Sequence, residues 1–281
     1  MVALLFLLPS LIGLSVFVLY PIVASLVMSF TNWDGLSPVK FIGLENYIKL
    51  WNDQTFIISL INNFYFTGVS VPLTIIFSIL LALMMNVKVK GIGVFRVLYF
   101  LPNVTAAIAV GVIWSTMFTK SGPINQVIGF FVENPPNWLG SSLWAMPAVI
   151  IVSIWKGMGY FAIILLAGLQ GIPNDLYEAA TVDGANKWKK FIHITIPQLS
   201  PVIFFCTIMA MISSFQVFDT IVAMTEGGPG RSTNVLVYHI YQTAFENFKF
   251  GYASAMSYIL FIIILIVTIL QFRSQKKWVH Y

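Results

Sequence analysis

Six stretches of the chain, approximately 2–30, 57–85, 97–118, 143–170, 199–224 and 252–272, are each long and apolar enough to cross a lipid bilayer. A helical crossing takes roughly 20 apolar residues. Inside the hydrocarbon no water bonds the backbone, so a spanning segment must satisfy its own amides and carbonyls, which a single run does as a helix. The expected fold class is an all-α integral membrane protein with six transmembrane helices, residues 1–281 forming one membrane domain. Composition removes the soluble alternative: 9% of residues are charged, against about 25% in soluble domains, and the mean hydropathy is +0.87. Pro9, Pro21, Pro72, Pro102 and Pro147 fall in or at the edges of the spans, where proline is tolerated more readily than in soluble helices. The first span lacks a basic leading region and a small-residue cleavage site, and it outruns the about 7–15 residue core of a signal peptide. A retained helix is expected.

Charge sets the orientation. Segments 86–96, 171–198 and 273–281 carry nine basic residues: Lys88, Lys90, Arg96, Lys187, Lys189, Lys190, Arg273, Lys276 and Lys277. The longer segments 31–56, 119–142 and 225–251 carry five: Lys40, Lys49, Lys120, Arg231 and Lys249. Cytoplasmic loops hold the excess of Lys and Arg. The loop at 171–198 and both termini are therefore expected in the cytoplasm. The basic residues are spread along short loops and form no single patch, which argues against a nucleic-acid partner.

Several chemistries find no residues to carry them. Cys206, the one cysteine, lies inside an apolar run, can form no intrachain disulfide, and reads as a small buried apolar side chain. No G-x-x-x-x-G-K-[ST] occurs, so ATP chemistry would have to come from another polypeptide. Gly227-Gly228-Pro229-Gly230 has no preceding strand and no following Gly-Lys-Ser/Thr, and reads as an external turn. His193 and His239 have no second histidine or carboxylate at ligand spacing, so no metal site is expected.

The loop at 171–198 is the most structured polar segment. Pro173 ends the fourth span. Asp175 with Glu178 three residues on matches a helix cap and its partner. A short helix is expected from about Leu176 to Asp183, with Leu176, Ala179, Ala180 and Asp183 on one side. Gly184 fits the left-handed position that closes a helix. A second short segment runs from Asn186 through Trp188, Phe191 and Ile192, and Pro197 then resets the chain before the fifth span. From these residues alone, an amphipathic hairpin on the inner membrane surface is the alternative.

The spacing Glu178-Ala179-Ala180-x3-Gly184-x9-Ile194-x-Ile196-Pro197 resembles the EAA signature of membrane subunits of binding-protein-dependent ABC importers, written EAA-x3-G-x9-I-x-L-P, with Ile196 in the place of Leu. Phe41-Ile42-Gly43-Leu44-Glu45-Asn46-Tyr47, the turn from Gly91 to Pro102, Trp155 to Tyr160, Ala167 to Pro173, Phe215 to Asp219 and Thr225 to Pro229 resemble further elements of the sugar and glycerol-phosphate branch, in the expected order along nearly the whole chain. The resemblance implies the type I importer permease fold, in the inner (cytoplasmic) membrane of a prokaryotic cell. It implies an ATPase-coupling role for Glu178, Ala179, Ala180, Asp183, Gly184, Ile194 and Pro197. It also implies partners: a second homologous permease subunit, two ATP-binding subunits that hold ATP and Mg, and an extracytoplasmic solute-binding protein that delivers a sugar or polyol. No cofactor and no hydrolytic activity are expected in this chain.

Ionisable residues inside spans are costly and tend to face cavities. Lys156 is placed about 13 residues into the fourth span, roughly 20 Å deep at 1.5 Å per residue, with Trp155 and Tyr160 flanking it. In the fifth span Ser213, Ser214 and Gln216 are polar and Asp219 lies near the outer end. Substrate-pathway candidates are Trp155, Lys156, Tyr160, Ser214, Gln216 and Asp219. The depths allow Lys156 to pair with Asp219, and the alternative is that these groups bond neighbouring helices. Asn62, Asn63 and Gln126 read as structural or loop residues. The competing class is an ion-gradient-driven secondary transporter or channel. Such proteins show inverted repeats and several membrane carboxylates; here Asp219 alone is placed in a span, and no repeat is visible. A membrane-embedded enzyme would need a nucleophile and base or a metal set, and none is found.

Overall fold

The apolar runs become helices wherever the backbone can close its own hydrogen bonds, and the interruptions fall at prolines and polar residues. The structure, a computed structural model, describes residues 2–87, 89–276 and 278–279. Lys88 and Lys277, counted above among the inner basic residues, lie outside the described residues. In chain order the helices are α1 (Val2–Leu14), α2 (Tyr20–Ser29), α3 (Glu45–Leu50), α4 (Gln54–Met85), α5 (Ile92–Val104), α6 (Ala107–Met117), α7 (Pro123–Ile128), α8 (Ala145–Gln170), α9 (Asn174–Val182), α10 (Lys187–Lys190), α11 (Ile196–Phe215), α12 (Asp219–Met224), α13 (Leu236–Tyr241) and α14 (Phe250–Gln275). Among the described residues no strand forms beyond a single bridge between Thr31 and Phe41. Five helical stretches are long and apolar enough to span a membrane, and the bent pair α5–α6 supplies a sixth.

Three span expectations need correction. The third span is not one helix over 97–118: it breaks after Val104 and bends by 98°. Pro102 removes an amide near the end of α5, Thr105 is extended, and Ala106 at φ −52°, ψ 124° is non-helical. The fifth span does not run over 199–224. It starts at Lys187 and ends at Phe215, because Phe215 packs edge-on against Phe64 while Phe218 packs on Tyr241, turning the chain between the two rings. Pro197 does not reset the chain either. Phe191–Thr195 is one π-helical turn, closed by the Ile196 amide on the Phe191 carbonyl, and the helix runs continuously through it. Pro21 sits likewise two residues after a π turn, Ser15–Leu19. The ring of a helical proline collides with the carbonyl four residues back; the wider π turn moves that carbonyl, of Phe17 or His193, out of the way.

α4 is the centre of the bundle. Ser59, Asn63, Thr67, Ser70, Thr74 and Ser78 recur every three or four residues along it, and all are buried. This polar seam bonds outward to other elements. Ser59 Oγ donates to Asn234 Oδ1 at 2.9 Å, the Leu236 amide donates to Asn63 Oδ1 at 3.2 Å, Ser214 Oγ donates to Thr67 Oγ1 at 3.1 Å, and Ser78 Oγ donates to the Met158 carbonyl at 2.9 Å. Such bonds between membrane helices average about 0.6 kcal/mol, so they set register more than total stability. Around the seam lie apolar clusters. One end packs Ala82 and Met85 with Leu165, Leu169, Leu199 and the buried Cys206; the other packs Phe66 with Val149, Val152, Ile221 and Val235. α8 crosses α5 closely: a β-carbon at Gly159 would overlap the Tyr99 carbonyl. The α1–α2 stretch stands apart, with large apolar side chains from Phe6 to Val27 exposed. Tyr258 ties it to α14 by donating to the Ile22 carbonyl, and Asn46 Nδ2 donates to the carbonyls of Ser29 and Thr31, both at 2.8 Å.

Candidate functional site

Two regions gather the residues singled out above, a loop at one end of the bundle and a cavity between α4, α8 and α11. In the loop, α9 spans Asn174–Val182 with Pro173 at its cap position. The expected cap at Asp175 is therefore corrected. Pro173 fixes φ at −60° and the helix starts two residues early, at Asn174, so Asp175 lies in the first turn, where a carboxylate suits the positive end of the helix. The other end closes as foreseen at Gly184, with φ +73°. The Ala185 amide donates to the Ala180 carbonyl at 2.9 Å and the Gly184 amide to the Thr181 carbonyl at 3.0 Å, the paired bonds of a Schellman closure. Asn186 then caps α10, its Oδ1 accepting the Lys189 amide at 2.8 Å. Glu178, Ala179, Asp183 and Gly184 are exposed and Ala180 half-buried, whereas Ile194 and Pro197 are half-buried where α11 begins. Trp188 of the second segment, 67% exposed, and Val182, 89% exposed and not singled out from the sequence, extend the free surface. Apolar side chains between charged ones on a solvent-facing loop were the signal available.

The cavity has a volume of about 430 Å³ and is open on one side. Of the pathway candidates, Lys156, Tyr160 and Ser214 line it. Ser214 is already engaged, donating to Thr67 and to the Met211 carbonyl. Trp155 lines none of it: its ring packs edge-on against Trp114 at 5.2 Å. Gln216 ends α11 and points to solvent, and Asp219, exposed, opens α12. The Lys156–Asp219 pair is corrected, since the break at Phe215 takes Asp219 out of the span and no ion pair joins the two. Lys156 is the one charged side chain on a wall that sets the neutral donors and acceptors of Ser70, Thr74, Asn103, Ser153, Ser213 and Thr220 among apolar side chains such as Phe66, Val71, Phe161 and Met209. The Ser153 hydroxyl is buried without a hydrogen-bond partner. Ser70 and Thr74 were missed, although the three-and-four spacing of the α4 seam was visible in the sequence.

Beyond the α4 start, Asp53 joins three elements. Its Oδ1 accepts the Thr55 and Phe56 amides, its Oδ2 accepts the Tyr252 hydroxyl at 2.8 Å, and His239 Nε2 lies 3.8 Å away. Burial pushes the Asp53 carboxyl up, and the Tyr252 hydroxyl and two amides outweigh it, so the net shift is downward. Burial pushes the His239 imidazole down by more than Asp53 raises it. At neutral pH the contact joins a carboxylate to an uncharged ring.

Residues 54–280 match the family described as binding-protein-dependent transport system inner membrane component. The chain is 39% identical to the lactose transport system permease protein LacF of Rhizobium radiobacter, over 97% of this chain and 93% of that one. It is 35% identical to the trehalose/maltose transport system permease protein MalF of Thermococcus litoralis, over 94% and 92%. In structure it is similar to a chain of a bacterial alginate ABC transporter crystallised in complex with an alginate pentasaccharide-bound periplasmic protein. That likeness has a TM-score of 0.86 at 23% identity, over 98% of this chain and 94% of that one.

Proposed function

The chain belongs to the family of binding-protein-dependent transport system inner membrane components, and from that premise we propose that it forms half of the translocation pathway of an ATP-driven importer for a carbohydrate or related polyol. It is a multi-pass membrane protein and a permease subunit. The lactose, trehalose/maltose and alginate systems among its relatives support the carbohydrate class. The cavity wall supports it too: its hydroxyls and one ammonium can bond a polyol's hydroxyl groups, and its aromatic and aliphatic side chains can pack on the carbon faces between them.

The observation that carries the reading is α9: a short helix that exposes Glu178, Ala179 and Val182, is closed at its C-terminal end by Gly184, and is held at one end of the bundle. Such a helix suits docking into a cleft of a partner. In the proposed cycle two ATPase subunits bind ATP and Mg and close. Each pulls the coupling helix of one permease, and this chain and a second, homologous permease switch from inward- to outward-facing. The cavity then opens to an extracytoplasmic solute-binding protein. The positive-inside bias supports placing α9 and both termini in the cytoplasm. Lys156 and Tyr160 meet the solute, and Glu178, Ala179, Ala180, Asp183 and Gly184 meet the ATPase.

The test is co-purification of the intact chain from its own membranes, beside Glu178→Lys and Gly184→Asp. An ATPase subunit should accompany the intact chain and be lost from both variants, which still insert in the membrane. A chain that purifies alone and imports solute in liposomes under an ion gradient, without ATP, overturns the proposal in favour of secondary transport.

A further inference from the structure

α9 is joined to the rest of the chain at its ends, through Gly171–Pro173 and through Ala185–Asn186. Joined only there, a helix under load would turn about its own axis. Two side-chain bonds oppose that rotation. Tyr177 and Thr181 stand one turn apart on α9, and both reach the segment Lys190–Thr195. The Tyr177 hydroxyl lies 3.0 Å from Thr195 Oγ1, and Lys190 Nζ donates to Thr181 Oγ1 at 2.6 Å. The two bonds differ in weight. The Lys190 bond is exposed, where competition with water leaves little net gain. The Tyr177–Thr195 bond is sheltered: Thr195 is 5% exposed, and Tyr177 packs on the apolar cluster of that end beside Ile194.

Thr195 is the last residue of the π turn at the root of α11. Four residues on, Leu199 is fully buried against Leu165 and Leu169 of α8. A β-carbon on Gly168 of α8 would stand 2.8 Å from Leu199 Cδ1, so the two helices meet without a gap. α8, α9 and the root of α11 thus close a triangle, with one side the peptide linkage at Pro173, one the α8–α11 packing, and the third the Tyr177–Thr195 bond. Both long sides end at the cavity, α8 with Lys156 and α11 with Ser214, which lies 19 residues from Thr195, about 28 Å at helical rise.

We propose that the Tyr177–Thr195 hydroxyl pair is the positioning joint that turns displacement of α9 into movement of α11 at the cavity. The proposal rests on the reading of α9 as the ATPase-docking helix. It assigns the pair to transmission, separate from docking, because Thr195 is buried and faces away from the free surface of α9.

The test uses the assembled importer in liposomes with its solute-binding protein, and reads ATP hydrolysed per solute imported. Tyr177→Phe and Thr195→Val each delete the bond and keep the shape. In both, the ATPase should stay attached and keep hydrolysing while import falls, so that ATP consumed per solute rises about fivefold or more. The double variant should be no worse than either single one, since both remove the same interaction, and Thr195→Ser should restore the ratio. An unchanged ratio in both single variants overturns the proposal. So does loss of ATPase attachment in Tyr177→Phe, which would make the hydroxyl part of docking. An ATPase that never accompanies the unaltered chain overturns the docking reading, and the joint with it.

Discussion

In the loop between α8 and α11, the side-chain bonds that fix the backbone join residues at most 18 positions apart, the span of Tyr177 to Thr195. Around the cavity, Ser78 meets Met158 across 80 positions and Thr67 meets Ser214 across 147. The loop is specified by its own short sequence. The cavity exists only once distant helices are in register. Damage to the loop should therefore be local and functional, whereas damage near the cavity should divide between lost solute contacts and lost packing.

The largest effect is expected in the loop. Gly184→Val places a β-branched residue at φ +73°, which costs about 1–2 kcal/mol or more in local strain and undoes the Schellman closure. Import should fall by at least about 100-fold, the upper range of a coupling energy between sites, while thermal stability in detergent barely moves. A matching drop in stability would erase the distinction between the regions. Next is Trp155→Ala, which empties the contact with Trp114 and should cost about 3–5 kcal/mol, seen as reduced yield and melting temperature. Lys156→Ala, one residue away, should leave melting unchanged and raise the half-saturating solute concentration about tenfold, the worth of one charge-assisted hydrogen bond. If the two variants behave alike, the division between cavity wall and core at these neighbours is wrong. Gly159→Ala should cost about 1–3 kcal/mol by pushing α8 off Tyr99, again in melting.

The smallest effect belongs to the end of the bundle that holds Asp53 and His239. His239 has its folded pKa depressed by burial, so the unfolded chain takes up a proton first as pH falls. The stability it permits is full above its unfolded pKa of about 6.5 and declines as pH drops from there toward the lowered folded value. Melting temperature should show that slope in the intact chain, and His239→Gln should flatten it. Asp53 acts the same way lower down: its carboxylate stabilises above about 3.9 and that contribution is lost below it, so a slope confined to that range would implicate Asp53 in place of His239.

What was legible follows the same division. Gly184 announced its turn, and Asn186 opened a second helical segment, because capping is decided by neighbours. Four of the six spans were placed to within several residues by hydropathy, whereas the third was read without its 98° bend and the fifth was misjudged at both ends. The breaks were hidden where a tertiary contact decides them: nothing near Phe215 reveals that Phe64 will hold it while Tyr241 holds Phe218. The π turn before Pro197 was hidden as well, because an apolar run containing a proline reads as a helix start until the fold shows the widened turn. Trp155 and Lys156 sit side by side in sequence, yet one belongs to an aromatic core and the other to the cavity, a distinction set by where α6 lies.

The seam along α4 also governs which changes of length the chain can inherit. One residue inserted between Asn63 and Thr67 turns everything beyond it by about 100°. Thr67, Ser70, Thr74 and Ser78 would swing away from α8 and α11 together, toward lipid that offers them nothing to bond. The same insertion between Phe131 and Asn134, in the exposed stretch after α7, adds only a little loop entropy. Lineages carrying this fold should vary freely in the length of the exposed stretch after α7 while holding the count of residues between Ser59 and Ser78 fixed.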